Sequence, residues 1–350
     1  MKVASPARSP VQTSPRKRSC AMPRACRLTD RAVLKTGRRP LFEGSLRSNL
    51  LLSLPALALA ALLIAVTGFL SPNFFSDSNL TNLSTRLLPL GLVALGEALV
   101  LFAGRIDLSV GSIMSLATAI MALTSASLGW LSVPLALAAG LACGIFTACG
   151  VNFLRINPLV MTLATAAIVK GITMLLLPSP GGEVDYAFYE ALFGAERLFS
   201  APLVISLAVF VAIAIAMNWT RLGRSIYAFG SDPRAAFANG ISALRVDLMV
   251  FGLSGVLASA AGIVLSIRIL SGDPLIGESY TLDAVSAAIL GGVALQGGRG
   301  NAVGVFFAAL SLVLINNMFN LLDLDTSLQN IAKGLIFIVA LVFFMRGKEN

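Results

Sequence analysis

Long apolar runs recur along the chain, separated by short stretches where charge, Gly and Pro collect. Ten runs can be marked, near residues 50–70, 87–104, 108–128, 131–151, 159–178, 201–218, 248–269, 284–298, 302–320 and 328–345. A helix crossing a bilayer needs about 20 predominantly apolar residues. The pattern therefore predicts an all-α, polytopic transmembrane helical bundle of about ten spans. Gly and Pro interrupt several runs, as is tolerated where neighbouring helices or a cavity satisfy the backbone. Runs two to five and seven to ten are offset by five. An odd offset makes the two sets run in opposite senses, which permits an inverted repeat.

Composition sharpens this picture. The 350 residues are 57% hydrophobic and only 12% charged, with mean hydropathy +0.86. Soluble domains carry about a quarter charged residues, so a soluble protein is excluded. The net charge of +9 belongs to one end. Residues 1–49 hold twelve Lys/Arg against Asp30 and Glu43, while the rest holds 14 basic and 15 acidic residues. A basic, Pro- and Ser-rich tail reads as disordered, lying against anionic headgroups or fixing topology. Its scant aromatic content argues against a nucleic-acid partner. The first apolar run, Leu50 to Leu70, is long enough to span and no small-residue cleavage site follows it, so no cleaved leader is expected. The organisation read here is a tail (1–49), a membrane domain (50–346) and a short end (347–350).

Charge sorting sets the expected orientation. With the tail inside and the runs alternating, inside loops hold Arg105, Arg155, Arg221, Arg224, Arg234, Arg245, Arg299, Arg346 and Lys348. Outside loops hold Arg86, Arg197 and Arg268, together with most acids, Glu278 and Asp283 among them. This is the positive-inside bias, and it places both termini in the cytoplasm. The polar, basic stretch Asn218 to Asp247 then faces the cytoplasm as a solvated connector or as a docking surface for a partner. The longest outside loop, 179–200, carries Tyr186, Phe188, Tyr189 and Phe193. It reads as an aromatic belt, an interfacial helix or a docking ledge.

Candidate chemistry is sparse. No histidine exists, and Cys20, Cys26, Cys143 and Cys149 lack metal-ligand spacing, so no metal site is expected. Nothing matches G-x-x-x-x-G-K-[ST], so the chain carries no P-loop. Paired carboxylates are missing from the spans as well, which speaks against an intramembrane enzyme. Three isolated charges fall within spans: Glu97, Lys170 and Lys333. A coupled-ion role for Glu97 stands beside the reading that Lys170 and Lys333 snorkel or bind carbonyls.

Two stretches are built differently. Gly104 to Ser112 reads GRIDLSVGS. Asp107 is placed to cap the third span. Alternatively, with Ser109 and Ser112, it belongs to a broken helix shaping a translocation path. Leu290 to Gly304 reads LGGVALQGGRGNAVG, with six Gly, and predicts a tight turn with Arg299 at the cytoplasmic face. Asn316 and Asn320 share one face of the ninth span, where amides bridge helices or line a polar path.

Taken together, several motifs carry a resemblance. They are GRIDLSVGS at 104–112, NPLVMTLATAAIVKGITML at 157–175, TRLGRSIYAFGSDPRAAFANGIS at 220–242, SGVLASAAGIVLSIRI at 254–269, GESYTLDAVSAAILGG at 277–292 and GGRGNAVG at 297–304. NNMFNLL and a later KGL follow in order. From about residue 50 onward the chain resembles the membrane permeases of bacterial ABC importers for monosaccharides, of the ribose/xylose/arabinose type. The family most often has Gly where Arg105 stands, a departure expected to touch only how that helix begins.

The resemblance implies an inner-membrane permease with three kinds of partner. These are a cytoplasmic ABC ATPase, a periplasmic substrate-binding protein and a second permease copy, in a homodimer or close heterodimer. It implies no cofactor on this chain, ATP being used by the ATPase, which fits the missing P-loop. It also implies a coupling segment within 218–247, assigned to Arg221, Gly223, Arg224, Ala228, Gly230, Ala235, Ala236, Gly240 and Ile241. Translocation is by alternating access, with no covalent chemistry. The alternatives are a permease of similar build for nucleosides or branched-chain amino acids, and an ion-coupled secondary transporter.

Overall fold

In the computed structural model, residues 41–194, 201–323, 331 and 334–335 are described. Leu46–Asn350 forms one unit by its internal contacts and Met1–Ser45 another, of which only residues 41–45, at the start of the first helix, are described. The helices are α1 Leu41–Leu70, α2 Asp77–Phe102, α3 Val110–Leu128, α4 Ser132–Phe153, α5 Pro158–Leu176, α6 Tyr186–Phe193, α7 Ala201–Trp219, α8 Arg221–Ser231, α9 Pro233–Ala238, α10 Ala243–Ile269, α11 Glu278–Leu290 and α12 Ala302–Leu321. No strand occurs among the described residues. Among the described residues seven stretches are long and apolar enough to cross a membrane, with Val110–Phe153 counted as one.

Runs one to seven and nine coincide with helices, whereas run eight (284–298) does not. There a 13-residue helix, α11, starts earlier and stops at Leu290. At 1.5 Å per residue it is about 20 Å long, too short for a hydrocarbon core of about 30 Å. The glycines from Gly291 to Gly300 end it, and four of them adopt positive φ that other residues reach only with strain. Run ten apart from residues 331, 334 and 335, the tail before residue 41, and Lys333, Arg197, Cys20 and Cys26 lie outside the described residues.

Two helices start earlier than their apolar runs because polar residues in them are paired. Helix α2 begins at Asp77, where Ser76 accepts from the Asn79 N–H (3.3 Å). Asn79 exchanges amide hydrogen bonds with Asn317 of α12 (2.6 and 3.3 Å), so both sit buried between helices. Arg86 therefore lies within α2 rather than in a loop, donating to Asn82 (3.1 Å). Helix α10 begins at Ala243, so the polar connector ends at Ser242 and Arg245 and Asp247 belong to the helix.

The 27-residue α10 is the central post, packing on α2, α3 and α4. Its small residues allow backbones to touch. A Cβ on Gly255 would stand 2.2 Å from the Gly140 carbonyl oxygen, and one on Gly262 would stand 2.2 Å from that of Met114. Gly140 and Gly144 of α4 form a G-x-x-x-G edge against Gly255 and the Phe251 carbonyl, the close packing that membrane helices use where lipid offers no hydrophobic drive.

Around this post the chain is built twice, in opposite senses. Helix α2 ends at Phe102, residues 103–109 turn back into the bundle, and α3 starts inside it. Helix α10 ends at Ile269, residues 270–277 turn back along α3, and α11 starts inside as well. Gly272 lies against Thr118 and Ala122, while Gly277 lies against Gly111 and Ser115. From Gly272 to Gly277 the contact thus shifts by about seven residues of α3, or about 10 Å at 1.5 Å per residue. At the meeting point a Cβ on Gly277 would stand 2.0 Å from the Gly111 carbonyl oxygen, and one on Gly111 2.3 Å from that of Gly277.

The loop before α7 folds down rather than standing free. Gly181 and Gly272 exchange backbone hydrogen bonds of 2.9 Å. Phe188 and Phe193 of α6 are buried, with the Phe188 ring tilted against that of Trp130 at a centre-to-centre distance of 4.3 Å.

Candidate functional site

The break between α2 and α3 is a buried polar knot. Asp107 Oδ1 accepts from the Ser109 backbone N–H (2.9 Å) and hydroxyl (2.5 Å), and Oδ2 accepts from the Ser254 hydroxyl of α10 (3.0 Å). The Asp107 N–H donates to Glu97 Oε1 at 3.3 Å. All four side chains are buried. Glu97 Oε2 has no partner. Asp107 does not cap the helix directly. Its bonds go to Ser109, one residue before α3, whose φ and ψ are already helical. It freezes the re-entrant turn, and the helix follows.

The depth of the knot follows from α10. Gly96 lies against Ser254, eleven residues into α10, or about 16 Å along its axis. The knot is thus near the middle of the bundle, level with the Gly111–Gly277 contact. Two half-helices of opposite sense therefore begin there, each presenting free N–H groups and the positive end of its dipole. Ser115 accepts from the Gly277 N–H at 3.0 Å, and Ser112 stands half-buried one residue beyond Gly111.

Arg105 does more than begin a helix. It reaches Asp247 of α10 at 3.4 Å, and its guanidinium sits 5.5 Å from the Phe229 ring centre of α8. Asp247 also accepts from Asn152 of α4 at 2.9 Å. The re-entrant turn is thereby tied to α4, α8 and α10 at once.

Phe229 belongs to the polar connector, which folds as two helices. In α8, Gly223, Ile226, Phe229 and Gly230 face inward, while Arg221, Leu222 and Arg224 face outward. Asp232 caps α9 by accepting from the N–H groups of Arg234 and Ala235 (2.9 and 3.1 Å). Ala236 is buried, Ala228 and Ile241 are half-buried, and Ala235 and Gly240 are exposed. Phe237 stands 76% exposed beside Arg234, an apolar knob with a basic rim.

Gly230 is the lock between this connector and the bundle. A Cβ there would stand 2.0 Å from the Phe102 carbonyl oxygen and 2.6 Å from the Gly298 nitrogen. The same Phe102 carbonyl accepts from the Gly298 N–H at 2.9 Å, and Tyr227 donates to the Gly300 carbonyl at 2.9 Å. Burial pushes the Tyr227 hydroxyl well above its ordinary value, so it serves as a neutral donor. Three segments (102–109, 221–231 and 291–301) therefore meet at one end of α2.

Other expected site residues fall differently. Asn320 is exposed, and Asn316 is half-buried with an unpartnered Oδ1. The inter-helix amide bridge is made by Asn317 instead. Lys170 is not isolated. It pairs with Glu278, the first residue of α11 and not a loop acid. Asp283 also lies in that helix, and Arg268 in the last turn of α10. The missed signal was an acid placed before a short amphipathic run, which marks a helix start. Among the described residues no group of His, Cys, Asp and Glu could hold a metal ion.

Residues 79–341 match the family described as "Branched-chain amino acid transport system / permease component". The chain is 36% identical over 289 residues to the ribose import permease protein of Escherichia coli strain K12, covering 80% of this chain and 89% of that one. The ribose import permease protein of Bacillus subtilis strain 168 is 34% identical over 288 residues, with the same coverage. The L-arabinose transport system permease protein of Escherichia coli strain K12 is 32% identical over 288 residues, covering 81% of this chain and 87% of that one. No solved structure matches the chain.

Proposed function

Because the chain belongs to the branched-chain amino acid transport system permease component family, we propose that it is the inner-membrane permease of an ABC importer and moves a monosaccharide by alternating access. The carrying observation is that relatives aligned over four fifths of the chain are named for ribose, allose and arabinose. The family implies a separate ATPase and a substrate-binding protein. A second permease copy completes the path in this reading.

In this scheme the tail and the α8–α9 surface lie in the cytoplasm, a placement that the basic character of both supports. Arg221, Arg224, Arg234 and Phe237 face the ATPase. Motion of the ATPase pushes α8. Gly230 leaves no slack between α8 and the Phe102 carbonyl, so α2 and the re-entrant turn move with it. Arg105 carries the same displacement to Asp247 of α10. The two half-helices then re-pack around Gly111 and Gly277, and the path changes the side to which it opens.

The test is uptake into proteoliposomes holding the full chain, its ATPase and its binding protein, with D-ribose, D-allose and L-arabinose as probes. ATP-dependent uptake of one of them is expected, and none by the chain alone. Uptake of leucine or isoleucine but no sugar would overturn the substrate class. Transport by the lone chain under an ion gradient would overturn the ABC assignment.

A further inference from the structure

The ion pair between Lys170 and Glu278 is not explained by the fold. Thr162 of α5 bonds to Ile106 (3.4 Å), and Leu177 lies against Gly272, so Lys170 sits midway between these levels. Glu278 follows Gly277, where the half-helices meet. The pair therefore lies between the middle of the bundle, where α11 begins, and the level of Gly272, with Lys170 about 9 Å from the C-terminal end of α5. Yet its side chains are 41% and 52% exposed. The same outward strip of α11 carries Ser279, Leu282 at 71% exposure and Ser286.

Lipid cannot cover such a strip cheaply. A charged side chain at the bilayer centre costs about 3 kcal/mol on insertion scales, and such residues face a bundle interior or a water-filled cavity. A dry protein interface would also desolvate both charges. Water in a path is the surrounding that suits them. In addition, the carboxylate of Glu278 sits on the first turn of α11, where the dipole suits an anion, while Lys170 can swing on its flexible stem.

We propose that Lys170 and Glu278 line the translocation path and close its narrow part by pairing with each other, each exchanging that partner for hydroxyls of a passing neutral polyol. The inference rests on the permease reading above. The ammonium donates to sugar oxygens and the carboxylate accepts from sugar hydroxyls, so an uncharged, hydroxyl-rich solute satisfies both groups. A zwitterionic amino acid would satisfy both groups as well, so the choice of a sugar comes from the permease reading and not from the pair itself.

The test has two arms, both on the full chain with its ATPase and binding protein in proteoliposomes. In the first, Cys20, Cys26, Cys143 and Cys149 are replaced by Ala. Single cysteines are then placed by Ser279→Cys and Leu282→Cys, with Leu207→Cys and Ile215→Cys on α7 as controls. Membrane-impermeant methanethiosulfonates of either charge should modify the α11 sites at least about tenfold faster than the α7 sites. Adding Glu278→Gln should raise the anionic-to-cationic rate ratio about fivefold, and Lys170→Gln should lower it comparably. Rates on α11 no faster than on α7 mean a lipid-covered or dry strip and overturn the proposal. In the second arm, Lys170→Glu and Glu278→Lys should each reduce uptake of whichever of D-ribose, D-allose and L-arabinose the unmodified chain carries about tenfold, and the double exchange should restore most of it. A double exchange as inactive as the singles overturns the pairing. If the unmodified chain takes up none of D-ribose, D-allose and L-arabinose, the monosaccharide reading fails, while the labelling arm still decides the path.

Discussion

Replacing Asp107 separates two roles its carboxylate could have. It accepts three hydrogen bonds, from the Ser109 N–H, the Ser109 hydroxyl and the Ser254 hydroxyl, at 2.5–3.0 Å. Asp107→Asn keeps the shape. Its oxygen still accepts both Ser109 bonds, and its NH2 donates to the Ser254 oxygen once that hydroxyl rotates. Asp107→Ala leaves a buried N–H and two buried hydroxyls without their acceptor, and each such group costs about 1–3 kcal/mol unless it finds another. Ser254 can turn to its own helix carbonyls, so the loss is about 2–5 kcal/mol rather than the full sum. At roughly 2 °C or more per kcal/mol, Asp107→Ala should lower the melting temperature in detergent by about 4–10 °C, and Asp107→Asn by less than about 2 °C. Fluorescence-detected size-exclusion after a heating series reads both. Asp107→Asn should also retain transport, because in this account geometry matters and charge does not. A fully folded Asp107→Asn protein without transport would refute that and bring back the coupled-ion role considered for Glu97, whose Oε1 accepts from the Asp107 N–H. An Asp107→Ala protein as stable as the parent would refute the turn-locking reasoning itself.

Other expectations follow from the same contacts. Gly230→Val puts a branched side chain where Cβ alone would stand 2.0 Å from a carbonyl oxygen. It should cut transport at least about tenfold while ATP hydrolysis continues and the protein still inserts, because the overpacking cost of about 1–3 kcal/mol falls on the α8 seam. Unchanged uptake in that variant would remove the lock from the mechanism. Gly255→Leu forces apart α4 and α10 and should destabilise the bundle by about 3 kcal/mol or more, read as aggregation in the same heating series. Asn317→Leu strands the Asn79 amide oxygen and should cost about 1 kcal/mol, within the range measured for inter-helix bonds in membranes. Arg224→Glu, on the exposed face of α8, should leave thermal stability within about 0.5 kcal/mol but weaken ATPase binding in a pull-down.

Much of this architecture was legible in the apolar pattern, because membrane helices must be long, apolar and internally hydrogen-bonded. What the pattern missed has one physical cause. A hydropathy window treats every polar residue as solvent-facing, and here several are paired inside. Asn79 with Asn317 let α2 start at Asp77, and Asp247 with Asn152 and Arg105 let α10 start at Ala243. The same assumption placed Glu278 and Asp283 in an outer loop, when they belong to a half-helix starting deep in the bundle. In the candidate site, Asp107, Ser109 and Gly230 were legible as types at informative positions. Ser254, Asp247 and Glu278 were not, since their partners lie 147, 142 and 108 residues away along the chain. The amide bridge was placed on the right helix, but on Asn316 and Asn320 rather than the intervening Asn317.

The reciprocal contact of Gly111 and Gly277 has a mechanical consequence. Backbone meets backbone there, with only the small hydroxyl side chains of Ser115 and Thr281 beside the contact, so there is little interdigitated surface to unlock and the two segments can roll against each other as a bearing does. Helix α11 extends about 20 Å from that point, so a tilt of about 10° moves its far end by about 3.5 Å, roughly the radius of a small sugar. At the bearing itself nothing moves. Strokes at the two ends would then need little strain at the centre, and any side chain added at either glycine would act as a wedge that stops the lever.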